Sequence, residues 1–224
     1  MKKATLYIAL VLSTITHAFA QQDAKAKAIL SQMSARFKTY NTVKTDFTFT
    51  LDNPQAGGKQ TQGGTLVTSP KSGKFKVTMF DADNKTDIEQ EIISDGKTQW
   101  TYLKKDKEVQ VNNAAKADEE LNPSRLFTLY EHGYKYIYTG DQKLNGKTCA
   151  VIDLSPEDAN KAFFKIRLFV DNVKKQLYSA TMFDKGGSKY TYTLNTITPN
   201  TKVSDDTFTF DKKAHPGVEV VDLR

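Results

Sequence analysis

Few residues of this chain have the types and spacing that chemistry at an active site requires. Beyond residue 20 the chain has two histidines, His132 and His215, and each lies alone in a polar segment rather than in a metal-binding pair. The chain also lacks the H-E-x-x-H, C-x-x-C and G-x-S-x-G patterns. Neighbouring acids such as Glu89 and Glu91 are more typical of solvated strands than of a paired-carboxylate hydrolase. The sequence therefore predicts a protein that is not an enzyme and that holds no metal ion or cofactor.

The sequence offers little support for nucleotide or nucleic-acid binding. The segment 140–148 resembles a phosphate-binding loop, but five residues separate Gly140 from Gly146 where that motif has four. A strand pattern follows the loop, so the helix N-terminus that would hold a phosphate is missing. Without residues 1–20, which carry two lysines and no acid, the formal net charge falls from +6 to +4. This mildly basic balance favours an acidic partner or an anionic membrane surface over a nucleic acid.

The remaining candidate for function is an apolar surface. Asp95-Gly96 predicts a hairpin with a type I′ turn, and after it Trp100 and Tyr102 alternate with a threonine, so both aromatics share one strand face. Each such residue could belong to an ordinary core, but together they could line a concave apolar site. The candidates for this lining are Phe47, Phe49, Leu66, Phe75, Val77, Met79, Ile92, Trp100, Tyr102, Leu126, Phe127 and Leu129.

An amphipathic helix is predicted near the N-terminus, over residues 23–40. Asp23 is a suitable N-cap, and no glycine or proline interrupts the segment. Apolar residues recur at three- and four-residue steps, namely Ala26, Ile29, Met33, Phe37 and Tyr40. The polar side is not strongly basic, so we expect this helix to pack on the protein core rather than on a membrane.

Most of the remaining chain predicts β-strands. Short segments alternate apolar and polar residues, as Phe75, Val77 and Met79 do, and we count about ten or eleven strands. Asn122 and Pro123 interrupt this pattern and predict the start of a short apolar helix. Because helices and strands do not alternate, a parallel doubly wound sheet is excluded. The sequence favours a mainly β fold, with one large curved antiparallel sheet or incomplete barrel whose concave side is filled by helices.

The N-terminus predicts export. Residues 1–20 combine a basic start, a short apolar stretch and the cleavage signal Ala18-Phe19-Ala20, which is typical of a signal peptide, and a retained membrane anchor is the alternative. Residues 21–224 contain no Pro/Gly/Ser-rich linker and are expected to form a single domain. Cys149 lies in a strand pattern and is expected to be a buried, inert thiol.

The segment Ile93–Tyr102 resembles the I-S-D-G-K-T-x-W-x-Y segment of the periplasmic outer-membrane lipoprotein carriers, the LolA family. The order of the surrounding pieces is similar too: an N-terminal helix, an aromatic strand at 46–48, a strand leading into Pro70, a short helix after Pro123, and a C-terminal Phe208-Thr209-Phe210 with Pro216-Gly217-Val218. The resemblance covers essentially the whole chain after residue 20.

This resemblance implies an unclosed half-barrel, with helices as a lid over an apolar cavity that receives lipoprotein acyl chains. It implies a periplasmic carrier, without a cofactor, that accepts acylated lipoproteins from an ABC-type exporter in the inner membrane. The carrier would deliver them to an outer-membrane receptor or to the membrane surface. We expect the protein to be a monomer that binds no nucleic acid.

Two departures from the family pattern concern the lid and the lining. Ser69 stands where family members have the arginine that latches the lid, and Val77 stands where they have an aromatic residue. Two further hypotheses keep the fold and change the role: a LolA-like carrier of another lipid or hydrophobic conjugate, and a periplasmic domain that senses lipoproteins.

Overall fold

The computed structural model describes residues 24–55, 57–114 and 123–224, which contain one α-helix and a large β-sheet. Helix α1 covers residues 24–39. The strands, in chain order, are β1 (Val43–Asn53), β2 (Gly58–Ser69), β3 (Lys74–Phe80), β4 (Ile88–Ser94), β5 (Thr98–Leu103), β6 (Glu108–Asn113), β7 (Tyr134–Leu144), β8 (Lys147–Pro156), β9 (Phe163–Asp171), β10 (Gln176–Asp184), β11 (Lys189–Pro199) and β12 (Glu219–Asp222). Short 3₁₀ segments lie at Arg125–Phe127, Leu129–Glu131, Asp205–Phe208 and Lys212–Ala214.

The twelve strands of the described residues form one sheet in the order β12-β6-β5-β4-β3-β2-β1-β11-β10-β9-β8-β7. Neighbouring strands are antiparallel, except that β12 pairs in parallel with β6. Strands β7 and β12 lie at opposite edges, so the sheet is not closed into a barrel. This confirms the predicted mainly β fold with an unclosed antiparallel sheet. The strands number twelve rather than the predicted ten or eleven.

The core lies against one face of the sheet, which we call the inner face because α1 packs on it. Side chains alternate between the two faces along each strand, so every second residue of β1, β2 and β3 belongs to the inner face. The main cluster of buried residues combines side chains from α1, β1–β3, β7–β11 and the segment Arg125–Phe127. Much of this cluster is therefore held together by contacts between the sheet and elements that lie outside it.

The two predicted hairpin turns differ in conformation. Asn145 and Gly146 both have positive φ, +48° and +78°, as a two-residue type I′ turn requires. At the other hairpin only Gly96 has positive φ, +92°, so the predicted type I′ turn is wrong there. The Asp95 carboxylate instead accepts a hydrogen bond from the backbone N–H of Thr98 at 2.7 Å. This side-chain bond stabilises a longer turn than the dipeptide suggests.

The short helix expected after Pro123 is two 3₁₀ segments rather than one α-helix. Thr128 separates them with a non-helical φ of −129°, and Gly133 follows with φ of +76°. These residues leave no room for a continuous helical run. Asp23 and Asn122, the two predicted N-caps of the chain, lie outside the described residues.

A glycine lets an aromatic ring lie directly on the sheet backbone. Gly64 of β2 pairs with Phe47 of β1, whose side chain is only 1% exposed. A Cβ atom at Gly64 would lie 2.3 Å from Cζ of Phe47 and 2.9 Å from the carbonyl oxygen of Thr78. At the neighbouring Gly63 the nearest atom, Cδ2 of Phe80, would be 3.8 Å away, an ordinary contact. The two glycines thus have different roles.

We expect Gly64→Ala to destabilise the protein by about 1–3 kcal/mol, because Phe47 or the backbone of β3 must move to admit the new methyl group. Gly63→Ala is the matched control, since it adds the same group to the same strand without a clash and is expected to be neutral or slightly stabilising. Urea unfolding followed by circular dichroism gives both free energies. Equal free energies of unfolding for the two variants would contradict this account.

Candidate functional site

The inner face of β1–β5 carries rows of side chains that cross the strands, because directly paired residues of antiparallel strands project to the same face. The first row consists of Val43, Thr68, Phe75, Ser94 and Gln99. The second row consists of Thr45, Leu66, Val77, Ile92 and Thr101. The third row consists of Phe47, Gly64, Met79, Gln90 and Leu103. The apolar members of the first two rows lie on β1–β4, beside the polar residues Thr45, Thr68 and Ser94. Both rows end in a polar residue on β5.

Helix α1 packs on the inner face with apolar side chains, near Leu177 of β10 and Ile197 of β11. Its buried apolar residues are Ala26, Leu30, Met33 and Phe37. The helix is held at both ends: Lys25 Nζ lies 3.8 Å from the ring centroid of Tyr138, and Arg36 donates to the carbonyl of Lys174 at 2.6 Å. These few polar anchors leave most of the contact between helix and sheet to apolar packing.

A second covering element, residues 123–133, meets α1 above the sheet. The rings of Phe37 and Phe127 stack with centroids 4.1 Å apart and planes within 5° of parallel. Leu126 is 1% exposed, and Leu129 packs against the same core. We call α1 and residues 123–133 together the cover. An apolar contact thus joins its two parts.

A cavity of about 650 Å³ opens beside the cover. Its floor includes Thr68, Phe75, Ser94 and Gln99 of the first row, and its other side is formed largely by the cover. The volume falls within the range of about 300–1,000 Å³ that small-molecule sites occupy. Its lining mixes polar and apolar groups, so this cavity lies beside the apolar rows and is not an apolar chamber itself.

The two parts of the cover are also joined by a polar cluster around Glu131. One carboxylate oxygen of Glu131 accepts from Ser34 Oγ at 2.5 Å, and Lys38 Nζ reaches both oxygens at 2.6 and 2.7 Å. Ser34 and Lys38 are one helical turn apart on α1, which brings both to the same side. Glu131 is 93 residues from Lys38 in the chain, so this contact ties α1 to the second element.

The charge of Glu131 is stabilised in this arrangement. Partial burial would raise the pKa of its carboxyl, but the hydrogen bonds from Lys38 and Ser34 outweigh that effect and hold the pKa below its ordinary value of 4.5. The carboxylate therefore stays ionised at neutral pH, where it pairs with Lys38.

The sequence matches one protein family. Residues 38–211 match the family described as outer membrane lipoprotein carrier protein LolA. The chain belongs to the LolA family. An outer-membrane lipoprotein carrier protein of Haemophilus influenzae (strain PittEE) is 31% identical over 230 residues, which cover 100% of this chain and 99% of that protein. A protein of the same description from Pasteurella multocida (strain Pm70) is 29% identical over 197 residues, 87% of each chain. The predicted family membership is confirmed.

Solved structures share the fold at much lower sequence identity. An uncharacterized conserved protein from Thermus thermophilus aligns with a TM-score of 0.57 at 10% identity, over 88% of this chain and 99% of that one. A DUF1329 family protein from Desulfovibrio piger aligns with a TM-score of 0.52 at 12% identity, over 87% and 99%. These likenesses show that the LolA-like fold tolerates extensive sequence change.

The structure brings most of the predicted lining residues together. Those on the inner face of the sheet are Phe47, Phe49, Leu66, Phe75, Val77, Met79 and Ile92. Those in the cover are Leu126, Phe127 and Leu129. All ten belong to the core cluster or pack against it. That these residues bind a ligand stays a prediction.

Trp100 and Tyr102 lie on the opposite face of the sheet. The prediction that they line the same surface as the other ten residues is therefore wrong. Trp100 pairs with Ile93 and Tyr102 with Glu91, whereas the inner-face residue of the same stretch of β4 is Ile92. Both aromatics therefore project from the outer face. Alternation alone showed that they share a face, but which face depends on the length of the turn before β5.

The outer face at these strands is covered by the C-terminal segment, residues 203–218. The ring of Tyr102 packs 4.5 Å from the His215 ring and 5.7 Å from the Phe210 ring, between centroids. Phe208 and Val218 are buried at 3% and 7% exposure. Strand β12 then joins the sheet edge, so Tyr102 serves as an anchor for the end of the chain.

Glu91 also lies on the outer face, on β4. The prediction that it is a solvated acid is wrong. Its residue is 3% exposed, and its carboxylate pairs with Lys76 Nζ at 2.7 Å and accepts from Thr78 Oγ1 at 3.3 Å. All three side chains lie on the outer face. A buried carboxylate with these two partners is a structural ion pair rather than half of an acid–base dyad.

The sequence patterns did not predict the polar cluster of Ser34, Lys38 and Glu131, although the four-residue spacing of Ser34 and Lys38 places both on one side of a helix. Ser69, at the position of the family's lid arginine, has a local role instead: its carbonyl accepts from the backbone N–H of Gly73 at 3.0 Å.

Burial accounts for the only cysteine of the chain. Cys149 is fully buried in β8, as predicted, and burial raises the pKa of its thiol. Within residues 24–55, 57–114 and 123–224, no three histidine, cysteine or acidic side chains are grouped as metal ligands would be. In the same ranges, no helix has both the length and the apolar character needed to cross a bilayer.

We expect Tyr102→Ala to loosen the C-terminal segment, because it removes two ring contacts worth about 0.5–1.5 kcal/mol each. Hydrogen exchange should quicken roughly tenfold at the backbone N–H groups of Glu219 and Leu223, which bond to Lys107 and Val111. Binding of hydrophobic ligands at the inner face should be unaffected. Faster exchange at α1 rather than at β12 would contradict the placement of Tyr102.

Proposed function

We propose that this protein is a periplasmic carrier that shelters lipoprotein acyl chains between the inner face of β1–β4 and the cover. The observation that carries the proposal is the apolar inner face of an unclosed sheet, which packs largely against apolar side chains of the cover. A sheet with such a cover can expose its apolar rows without breaking any of its own backbone hydrogen bonds. The adjoining cavity of about 650 Å³ provides the entrance. The names of the curated relatives support lipoprotein as the cargo.

The energetics of acyl chains explain why a carrier is needed. Burying one CH₂ group is worth about 0.8 kcal/mol, so a sixteen-carbon chain gains on the order of 12 kcal/mol on leaving water. Free passage through an aqueous compartment is therefore prohibitive. A carrier must offer a comparable apolar surface, yet its own closed form must not be so stable that cargo cannot enter. Replacing cover–sheet contacts by chain–sheet contacts meets both conditions.

The proposed route follows from the predicted export of the chain and from its family. Residues 1–20 would direct it to the periplasm and be removed, leaving residues 21–224 as a single carrier domain. An ABC-type exporter in the inner membrane would load the carrier, and an outer-membrane receptor or the membrane surface would accept the cargo. The carrier would act as a monomer, and no chemical step is involved.

Adjacent isoleucines on β4 give a matched test of the proposed binding face. Ile92→Thr should weaken binding of a synthetic diacylated lipopeptide roughly threefold to tenfold, because the inner face loses apolar surface. Ile93→Thr makes the same change on the outer face and should leave the affinity unchanged, although it lowers stability. Fluorescence titration at a temperature where both variants are folded measures the affinities. Equal weakening by both variants would count against the inner face.

Native mass spectrometry of the protein purified from its own periplasm tests the cargo. We expect masses that correspond to bound acylated peptide, and depletion of the protein should leave lipoproteins in the inner membrane. A bound lipid without peptide would identify a carrier of another lipid. Normal lipoprotein sorting together with protein that carries no acylated peptide would overturn the proposed function.

The Glu131 cluster predicts a pH dependence of cargo exchange. A carboxyl whose pKa is lowered in the closed form stabilises that form above about pH 4.5, and this stabilisation is lost as pH falls through the lowered pKa. Lipid exchange, followed by stopped-flow fluorescence, should therefore accelerate on acidification. Glu131→Gln should exchange faster than the wild type at neutral pH and lose this pH dependence.

Glu219→Gln supplies the control, because it removes an exposed carboxylate from β12, far from the cover in the sheet order. This variant should retain the wild-type rate and its pH profile. If Glu131→Gln also kept the wild-type profile, the cluster would have no part in closing the cover.

A further inference from the structure

One polar group of the inner face has no partner. Thr45 is 0% exposed, and among the buried side-chain nitrogen and oxygen atoms of the described residues, only its Oγ1 lacks a hydrogen bond. A buried hydroxyl without a partner lowers stability, because it gives up its bonds to water and gains none in return. Such a group in a native structure needs an explanation.

Other buried hydroxyls in this sheet and its cover are satisfied. Ser34 Oγ donates to Glu131 at 2.5 Å, Thr68 Oγ1 donates to the carbonyl of Lys74 at 3.2 Å, and Ser179 Oγ donates to the carbonyl of Tyr192 at 2.8 Å. The fold therefore supplies partners for buried hydroxyls where they have a structural role. Thr45 is the exception.

The fold itself does not require a hydroxyl at this position. Thr45 projects into the apolar core between Val43 and Phe47, which alternate with it on the inner face of β1. Valine has the same branched shape, and Val43 shows that β1 accommodates it two residues away with 0% exposure. A valine at residue 45 would fill the same space without an unpaired polar atom.

The position of Thr45 relative to the entrance suggests what the hydroxyl is for. The first row forms part of the cavity floor through Thr68 and Phe75, and Thr45 belongs to the second row, next to it. Two residues along a strand span about 7 Å. Its row neighbours Leu66 and Ile197 are apolar, so any ligand group that meets the hydroxyl does so in apolar surroundings.

We propose that the Thr45 hydroxyl donates a hydrogen bond to the ester or amide carbonyl through which a bound acyl chain is attached. This inference rests on the proposed carrier function and names a subsite within it. A neutral donor in apolar surroundings suits a neutral carbonyl oxygen, whereas a free carboxylate would remain an uncompensated buried charge. The apolar rows alone would hold any hydrocarbon. The hydroxyl selects chains joined through a carbonyl and fixes the depth at which the linkage lies.

The test compares two probes with two proteins. The probes are a diacylated lipopeptide and its dialkyl ether analogue, which has the same chains and lacks the ester carbonyls. Thr45→Val should weaken binding of the ester probe about threefold to tenfold and leave the ether probe unchanged. Thr45→Ser keeps the hydroxyl and should retain the preference for the ester. The midpoint of thermal unfolding of the empty Thr45→Val variant should rise, which separates a loss of binding from a loss of folding.

Each outcome bears on a different statement. If the wild type binds both probes and Thr45→Val changes neither affinity, or both equally, the subsite is wrong and the carrier function stands. If the wild type binds neither probe, the carrier function fails and the subsite fails with it. A preference of the wild type for the ester that Thr45→Val removes would support the subsite.

Discussion

The stack of Phe37 on Phe127 joins the two elements that lie over the inner face of the sheet. An unclosed sheet cannot bury its own inner face, so the apolar rows of β1–β4 need material from outside the sheet. That material comes from two places in the chain, α1 and residues 123–133, and the stacked rings join them at 4.1 Å. Because the stack is apolar and carries no backbone hydrogen bond, it can be exchanged for contacts with another apolar group at small cost.

Polar contacts surround this stack and hold α1 in place. Glu131 holds α1 through Ser34 and Lys38, and Arg36 holds the same helix to the turn after β9. Lys25 of α1 also lies over the Tyr138 ring of β7, so α1 is tied to the sheet as well as to the second covering element. Ser69 stands where the family pattern leads us to expect an arginine, and we propose that the contact between the two covering elements closes the cover in this chain.

Much of the fold could be predicted from local patterns. Period-two alternation grouped Phe75, Val77 and Met79 on one face, and three- and four-residue steps identified α1, because both signals depend only on neighbours in sequence. The relative placement of the groups could not be predicted in this way. Trp100 lies on the outer face because the turn before β5 sets the parity of that strand, and a one-residue difference in a turn exchanges the faces. The site was harder to predict than the fold, because the contacts of Glu131 and the surroundings of the Thr45 hydroxyl involve residues that are distant in sequence.

The burial of Cys149 has a consequence for the working life of the protein. A thiol that is fully buried and has a raised pKa stays protonated near neutral pH, and the thiolate is the form that oxidises or attacks a disulfide. The chain has no second cysteine with which to pair. Cys149 therefore forms no disulfide within the chain, and burial protects its thiol in an oxidising compartment.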